Sequence, residues 1–203
     1  MSSAGSRMAS SVVCISVVTF ACATSARAQA LPQLRDGFMM SGGIGGGVAS
    51  VQCAVCKSGA GAAAYVRLGG ALRRDLILAG EVSRWRKSGA VTSESQSDVR
   101  VQLSTLAMVA QWYPHVERGF FVDAGAGLGI LETRIADRVT GTRYPSSHSA
   151  GYQLGVGYDY RVKRTLSITP YATVFGAAPS HMAESSKSAY GNALQIGLGL
   201  TQH

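Results

Sequence analysis

The chain predicts an all-β fold: an eight-stranded antiparallel up-and-down transmembrane β-barrel. Three observations lead there. Segments about as long as a tilted membrane strand alternate apolar with small or polar residues along most of the chain. The links between them alternate short and long. A secretory leader precedes them, and past it no apolar run reaches the roughly 20 residues of a spanning helix. A chain of this kind that enters a bilayer does so as a closed barrel, because only helices and closed barrels satisfy every backbone polar group in lipid.

Residues 1–30 set the compartment. Arg7 supplies a positive start, and an apolar run over 12–23 follows with Val12, Val13, Ile15, Val17, Val18 and Phe20. Ala26-Arg27-Ala28 and Ala28-Gln29-Ala30 are small-residue cleavage sites. The expectation is a signal peptide over 1–30, cut after Ala30 with Ala28 as the alternative, leaving a barrel domain over 31–203. The apolar run is short for a retained anchor, and Thr19-Phe20-Ala21 before Cys22 lacks the aliphatic residue of a lipoprotein signal. The full chain carries a formal charge of +8; without the leader it loses two of 19 basic residues and none of 11 acids, for +6.

The eight strands follow in order. The first, 37–51, sets Phe38, Met40, Ile44 and Val48 on one face. The second, 60–72, opposes Ala62, Ala64, Val66 and Leu68 to Tyr65 and Arg67. The third, 76–87, opposes Leu78 and Val82 to Glu81 and Ser83. In the fourth, 98–113, Val99, Val101, Leu103, Ala107 and Val109 are read as the lipid face, against Arg100, Gln102 and Ser104. The fifth starts near Gly119 and sets Phe120, Val122, Ala124, Ala126, Leu128 and Ile130 against Asp123, Gly125, Gly127 and Gly129. The sixth, 150–162, opposes Tyr152, Leu154, Val156, Tyr158 and Tyr160 to Gln153, Gly155, Gly157, Asp159 and Arg161. The seventh, 165–176, opposes Leu166, Ile168, Ala172 and Val174 to Ser167, Thr169, Tyr171 and Thr173. The last, 193–200, sets Leu194, Ile196, Leu198 and Leu200 against Ala193, Gln195, Gly197 and Gly199.

The short links are 73–75, 115–118 and 163–164; the long ones are 52–59, 88–97, 136–149 and 177–188. Short periplasmic turns and long external loops are the outer-membrane arrangement. An eight-stranded barrel holds only side chains inside. Its predicted lumen carries glycines with Arg67, Glu81, Arg100, Asp123, Asp159 and Arg161. Buried charges must pair, so the expectation is a plug of ion pairs: Arg67 beside Glu81, Arg100 between Glu81 and Asp123, Asp159 with Arg161. Tyr113, Phe120, Tyr158, Tyr160 and Tyr171 are candidates for an interfacial aromatic girdle, with an inward position as the alternative for Tyr171.

From about Gly37 to His203 the chain resembles the small outer-membrane β-barrel superfamily, the OmpA-like and OmpX-like eight-stranded proteins. The resemblance lies in Gly42-Gly43-Ile44-Gly45-Gly46-Gly47, in 121–129 (FVDAGAGLG), in Gly155-Val156-Gly157-Tyr158-Asp159-Tyr160, in Ile168-Thr169-Pro170-Tyr171 and in Gly197-Leu198-Gly199-Leu200. It implies a Gram-negative outer-membrane location, with outer-membrane lipids, periplasmic chaperones and the barrel-assembly machinery as partners. Family members commonly end in an aromatic residue; this chain ends Thr201-Gln202-His203.

Motifs with chemical potential are few. Cys53-Ala54-Val55-Cys56 falls in the first long loop. It is read as a structural disulfide or a pair of thiols, since a redox C-x-x-C belongs at a helix start and a zinc site needs two more ligands. His148 and His181 sit in other loops at the same end, which makes a Cys2His2 rim site geometrically conceivable. Ser147 and Ser149 flank His148, and Glu184 follows His181. Neighbours on a strand point to opposite faces, so they form no one-sided triad. The run 42–47 lacks the Lys and strand–helix context of a phosphate loop. Arg73, Arg74, Lys163, Arg164, Arg84, Arg86 and Lys87 lie at turns or strand ends, where cations meet anionic head groups rather than nucleic acid.

The sequence therefore predicts a monomeric, cofactor-free, non-enzymatic barrel with a structural or surface-interaction role, its external loops meeting a ligand the residues do not identify. Two alternatives carry different consequences. A lipid-modifying outer-membrane enzyme needs a catalytic set on one face. A soluble lipocalin-like binder of a hydrophobic ligand hides the Leu/Val face inside.

Overall fold

The computed structural model of the protein describes Arg35 and residues 37–52, 58–88, 98–137, 141–143, 146–182 and 185–203. The leader and the Cys53–Cys56 motif lie outside the described residues. Ten strands form one sheet: β1 (Phe38–Gln52), β2 (Gly59–Arg73), β3 (Leu76–Ser88), β4 (Asp98–Trp112), β5 (Phe120–Asp137), β6 (Gly141–Arg143), β7 (Ser146–Tyr158), β8 (Tyr160–Lys163), β9 (Leu166–Met182) and β10 (Ser185–Gln202). The barrel wall is β1-β2-β3-β4-β5-β7-β9-β10, every neighbour antiparallel. After a break at Asp159, β8 continues the path of β7 against β9, and β6 lies on the end of β5. β10 returns to β1, with Met40 opposite Gln202 and Gln52 opposite Tyr190. Among the described residues the eight wall strands each pair on both sides, so they close into one barrel, as the alternation predicts.

The turns at one end are tight, at 74–75, 114–118 and 164–165. In the second, the Arg118 amide donates to the His115 carbonyl at 2.9 Å. Gly37 opens β1 at φ 87°, which favours glycine, and its carbonyl accepts from Ala71 at 2.9 Å. At the other end two expected loops are partly strand. β5 runs to Asp137 and β6 pairs with its tip, while β9 and β10 extend to Met182 and from Ser185. Polar composition predicts loop there, but the backbone ladder continues regardless of side-chain polarity.

The wall faces outward with its apolar set. Phe38, Ile44, Val66, Leu128, Leu154, Ile196 and Leu198 are all exposed, Ile44 at 75%. Tyr65, Arg67, Glu81, Asp123, Gln153, Thr169 and Gln195 are buried inside. This orientation removes the soluble lipocalin-like alternative, which needed the aliphatic face inside. Among the described residues no helix is long and apolar enough to cross a membrane.

Two expectations are corrected. β4 faces the opposite way from its sequence reading: Val101, Leu103, Ala107 and Val109 are buried in the lumen, and Leu106, Met108 and Trp112 are exposed on the wall. Both faces of β4 are apolar enough to meet lipid, so alternation alone does not choose. Register chooses: Ala107 stands opposite inward Glu81, and Met108 opposite outward Gly80. Arg100 is thereby carried out of the lumen to the wall side near the outer rim, opposite Arg134. The girdle is also redrawn. Tyr113 is buried inside, Tyr171 takes its alternative inward position, and Phe120 and Tyr160 are exposed with Phe38 and Trp112, all near the tight-turn end.

Candidate functional site: a filled lumen and a graded wall

The lumen is organised around Arg67. From β2 its guanidinium reaches three walls: Nε donates to Glu81 Oε2 at 2.5 Å, Nη1 to Gln111 Oε1 at 2.6 Å and Nη2 to Asp123 Oδ2 at 2.8 Å. Arg67, Glu81 and Asp123 are all buried. A planar fork with several donors suits this role better than a point charge. Ser83 Oγ completes Glu81 at 2.6 Å. Gln111, on the inverted β4, occupies the place expected of Arg100.

From Gln111 the network continues without a gap. Its Nε2 donates to Tyr113 Oη at 2.6 Å, and Tyr113 Oη donates to Asp159 Oδ2 at 2.8 Å. Thr169 Oγ1 donates to Asp159 Oδ1 at 2.6 Å. The Thr169 and Thr201 hydroxyls lie 2.9 Å apart, Thr201 and Ser41 2.8 Å, and Ser41 and Tyr65 2.9 Å. Tyr171 accepts from Gln195, and its ring meets Tyr65 edge-on at 4.7 Å. The rings of Tyr65 and Tyr171 fit over Gly43, where a Cβ would stand 2.5 and 2.8 Å from their edges. The glycine run of β1 is thus packing space for lumen tyrosines.

Apolar layers lie on either side. Toward the outer end, Trp85, Phe175, Leu103 and Leu131 pack with Val51 and Val101. Trp85 is fully buried and its indole N–H donates to the Gly47 carbonyl at 3.2 Å. Toward the tight-turn end, Met39, Ile77, Tyr113 and Phe121 form a second layer. Arg35 covers it: the guanidinium sits 3.4 Å over the Tyr113 ring and donates to the Val116 and Arg118 carbonyls at 2.9 and 2.7 Å. His203 turns inward as well, its Nε2 3.5 Å from Asp159 Oδ2. Asp159 is buried at this end with Tyr113, Thr169 and His203 around its carboxylate, and Arg161, half-buried, lies two residues on in β8.

The other motifs are dispersed. His148 is exposed on the outer side and Ser147 is buried on the inner side, as strand alternation requires. The backbone of His181 pairs with Ser188; its side chain and Glu184 lie outside the described residues. Among the described residues no three His, Cys, Asp or Glu side chains group as metal ligands. Sequence reasoning missed Trp85, Phe175, Tyr113 and Arg35 as lumen residues. For Trp85 the signal was present, since it shares parity with Glu81 and Ser83.

Neither a protein-family model nor a curated protein sequence matches the chain. Solved structures do. Ail, the attachment invasion locus protein of Yersinia pestis, is similar at a TM-score of 0.58 and 11% identity, over 82% of this chain and 99% of that one. Neisserial surface protein A matches at 0.58 and 14% identity, over 82% and 97%. A major outer membrane protein of Thermus thermophilus matches at 0.54 and 13%, over 81% and 98%. The chain has the fold of the small outer-membrane β-barrels. Its apolar wall and closed ladder are those of a barrel that can cross a bilayer with strands.

Proposed function

We propose that the protein is a sealed display scaffold: a monomeric barrel that anchors external hairpins at the cell surface, binds through them, and neither conducts nor catalyses. The observation that carries this reading is the Arg67 fork, which joins three other strands across the lumen. The Trp85–Phe175 layer and the Arg35 cover add two further obstructions in series. Closure of β1 on β10 leaves lipid as the neighbour on all sides. Surface binding is favoured over lipid modification because His148 and Ser147 stand on opposite faces of the wall.

Planar-bilayer recording tests the seal. Purified protein that runs as a heat-modifiable band is expected to leave the baseline flat under voltage steps; discrete openings overturn the reading. Mass spectrometry of lipid A from cells with and without the protein tests the non-enzymatic part. Identical profiles are expected, and a mass shift dependent on the protein overturns it.

A further inference from the structure

The wall changes character on β3. Its outward residues run Leu78, Gly80, Val82 and then Arg84 and Arg86, both exposed. Across the ladder, Arg84 faces Ala64 and Arg86 faces Ala62 on β2. These short side chains leave an external groove of about 800 Å³. Ile44, Ala62, Ala64 and Leu198 line it with the two arginines, and its surface is almost wholly apolar. Sharing Ala62 and Arg86, it continues toward the outer end into a recess of about 450 Å³ bounded by Ala60 and Lys87, where polar and apolar surface are about equal. Both volumes fall within the roughly 300–1,000 Å³ of small-molecule sites.

The recess is therefore graded along the strand direction, apolar below and cationic above. Among the described residues neither Arg84 nor Arg86 forms an ion pair or hydrogen bond; Lys87, on the inward side of β3, instead donates to the Ser58 carbonyl at 3.0 Å. Arginine on the lipid face is costly toward the bilayer middle and tolerated near the interface, and cations there draw anionic head groups. The groove also sits where a lipid must lie, since the surrounding wall is exposed Ile44, Val66, Val82, Ile196 and Leu198. We propose that it is a binding site for a phosphorylated lipid of the outer leaflet. The phosphate meets Arg84 and Arg86, and an acyl chain lies along Ala62 and Ala64 toward Ile44 and Leu198.

Native mass spectrometry of the full barrel ejected from phosphatidylcholine nanodiscs, seeded with bis-phosphorylated lipid A, tests this. One retained lipid A per barrel is expected. The double variant Arg84→Gln/Arg86→Gln is expected to lower retention about tenfold or more, as loss of two interfacial cations implies. Ala64→Phe, which fills the groove and leaves both arginines, is expected to lower it comparably. Lys163→Gln/Arg164→Gln, at the opposite interface, is expected to retain the lipid. Heat-modifiable migration reports folding of each variant. Competition on the unmodified protein between bis-phosphorylated and dephosphorylated lipid A needs no variant and is expected to favour the former. Retention unchanged in the double variant, no effect of Ala64→Phe, or equal retention of both lipids each overturns the site. None of these readouts depends on whether the lumen conducts.

Discussion

At the scale of single residues, the lumen shows how charge is tolerated in a barrel interior. Arg67 is buried with two carboxylates and an amide oxygen around it, so its charge is offset and its donors are used. Removing it leaves Glu81 and Asp123 as buried charges without their cation. Breaking a buried pair costs about 3–5 kcal/mol, so Arg67→Ala is expected to lose about that much in urea titrations of the lipid-folded protein. Arg67→Lys is expected to recover only part of it, because one ammonium does not reach three walls. Glycines give a second contrast. At Gly46, on the outer face, a Cβ meets nothing within 4 Å; at Gly197 it would stand 2.7 Å from Tyr171 Oη and closer still to the Ile44 carbonyl. Gly46→Ala is expected to keep the unfolding midpoint, and Gly197→Ala to lower it. Arg35 donates from a charged group to two carbonyls, bonds each worth about 1.5–3 kcal/mol. Arg35→Ala is expected to lower stability by a few kcal/mol in the same titration.

At the scale of elements, β4 is the instructive strand. Val99 to Val109 at odd positions and Leu106, Met108 and Trp112 at even ones make two faces that could each meet lipid. Its neighbours decide: with Glu81 and Asp123 inward on β3 and β5, pairing fixes Ala107 and Gln111 inward. Leu103 and Val109 then line the lumen as packing, and Gln111 becomes a partner of Arg67. The assignment is testable, since an arginine near the bilayer midplane on the lipid face costs about 2–4 kcal/mol. Met108→Arg is expected to show that loss in folding equilibria with phosphatidylcholine bilayers, and Ala107→Ser to show little. An equal loss at both positions would mean the faces are not as described. The external hairpins carry a related lesson: β9 and β10 pair beyond the apolar band, where composition alone reads loop.

At the scale of the whole molecule, closure depends on the last few residues. Thr201 and Gln202 pair with Ser41 and Met40, the Thr201 hydroxyl bridges Ser41 and Thr169, and His203 turns toward Asp159. Deleting 201–203 removes the final rungs of the β1–β10 seam and the link from β10 into the polar network. Heat-modifiable migration is expected to be lost in the truncated protein, while His203→Phe, which keeps the backbone rungs, is expected to retain it. Preserved migration after truncation would show that closure does not need this end.

The number of walls, the tight and long ends, and the faces of seven of the eight strands are legible in the residue pattern alone. Period-two alternation is local, and strands with one clearly greasy face report it directly. It also marked Arg67 with Glu81 as a lumen pair, because adjacent strands put them on the same side. Folding in three dimensions sets which face of β4 looks inward, that Tyr113 and Trp85 pack inside, and that Arg35 covers the tight-turn end. It also decided that Arg84 and Arg86 border a groove made by alanines on another strand. Those outcomes rest on register and closure, which couple residues far apart in the chain, and a sequence pattern of period two holds no record of which distant strand lies opposite.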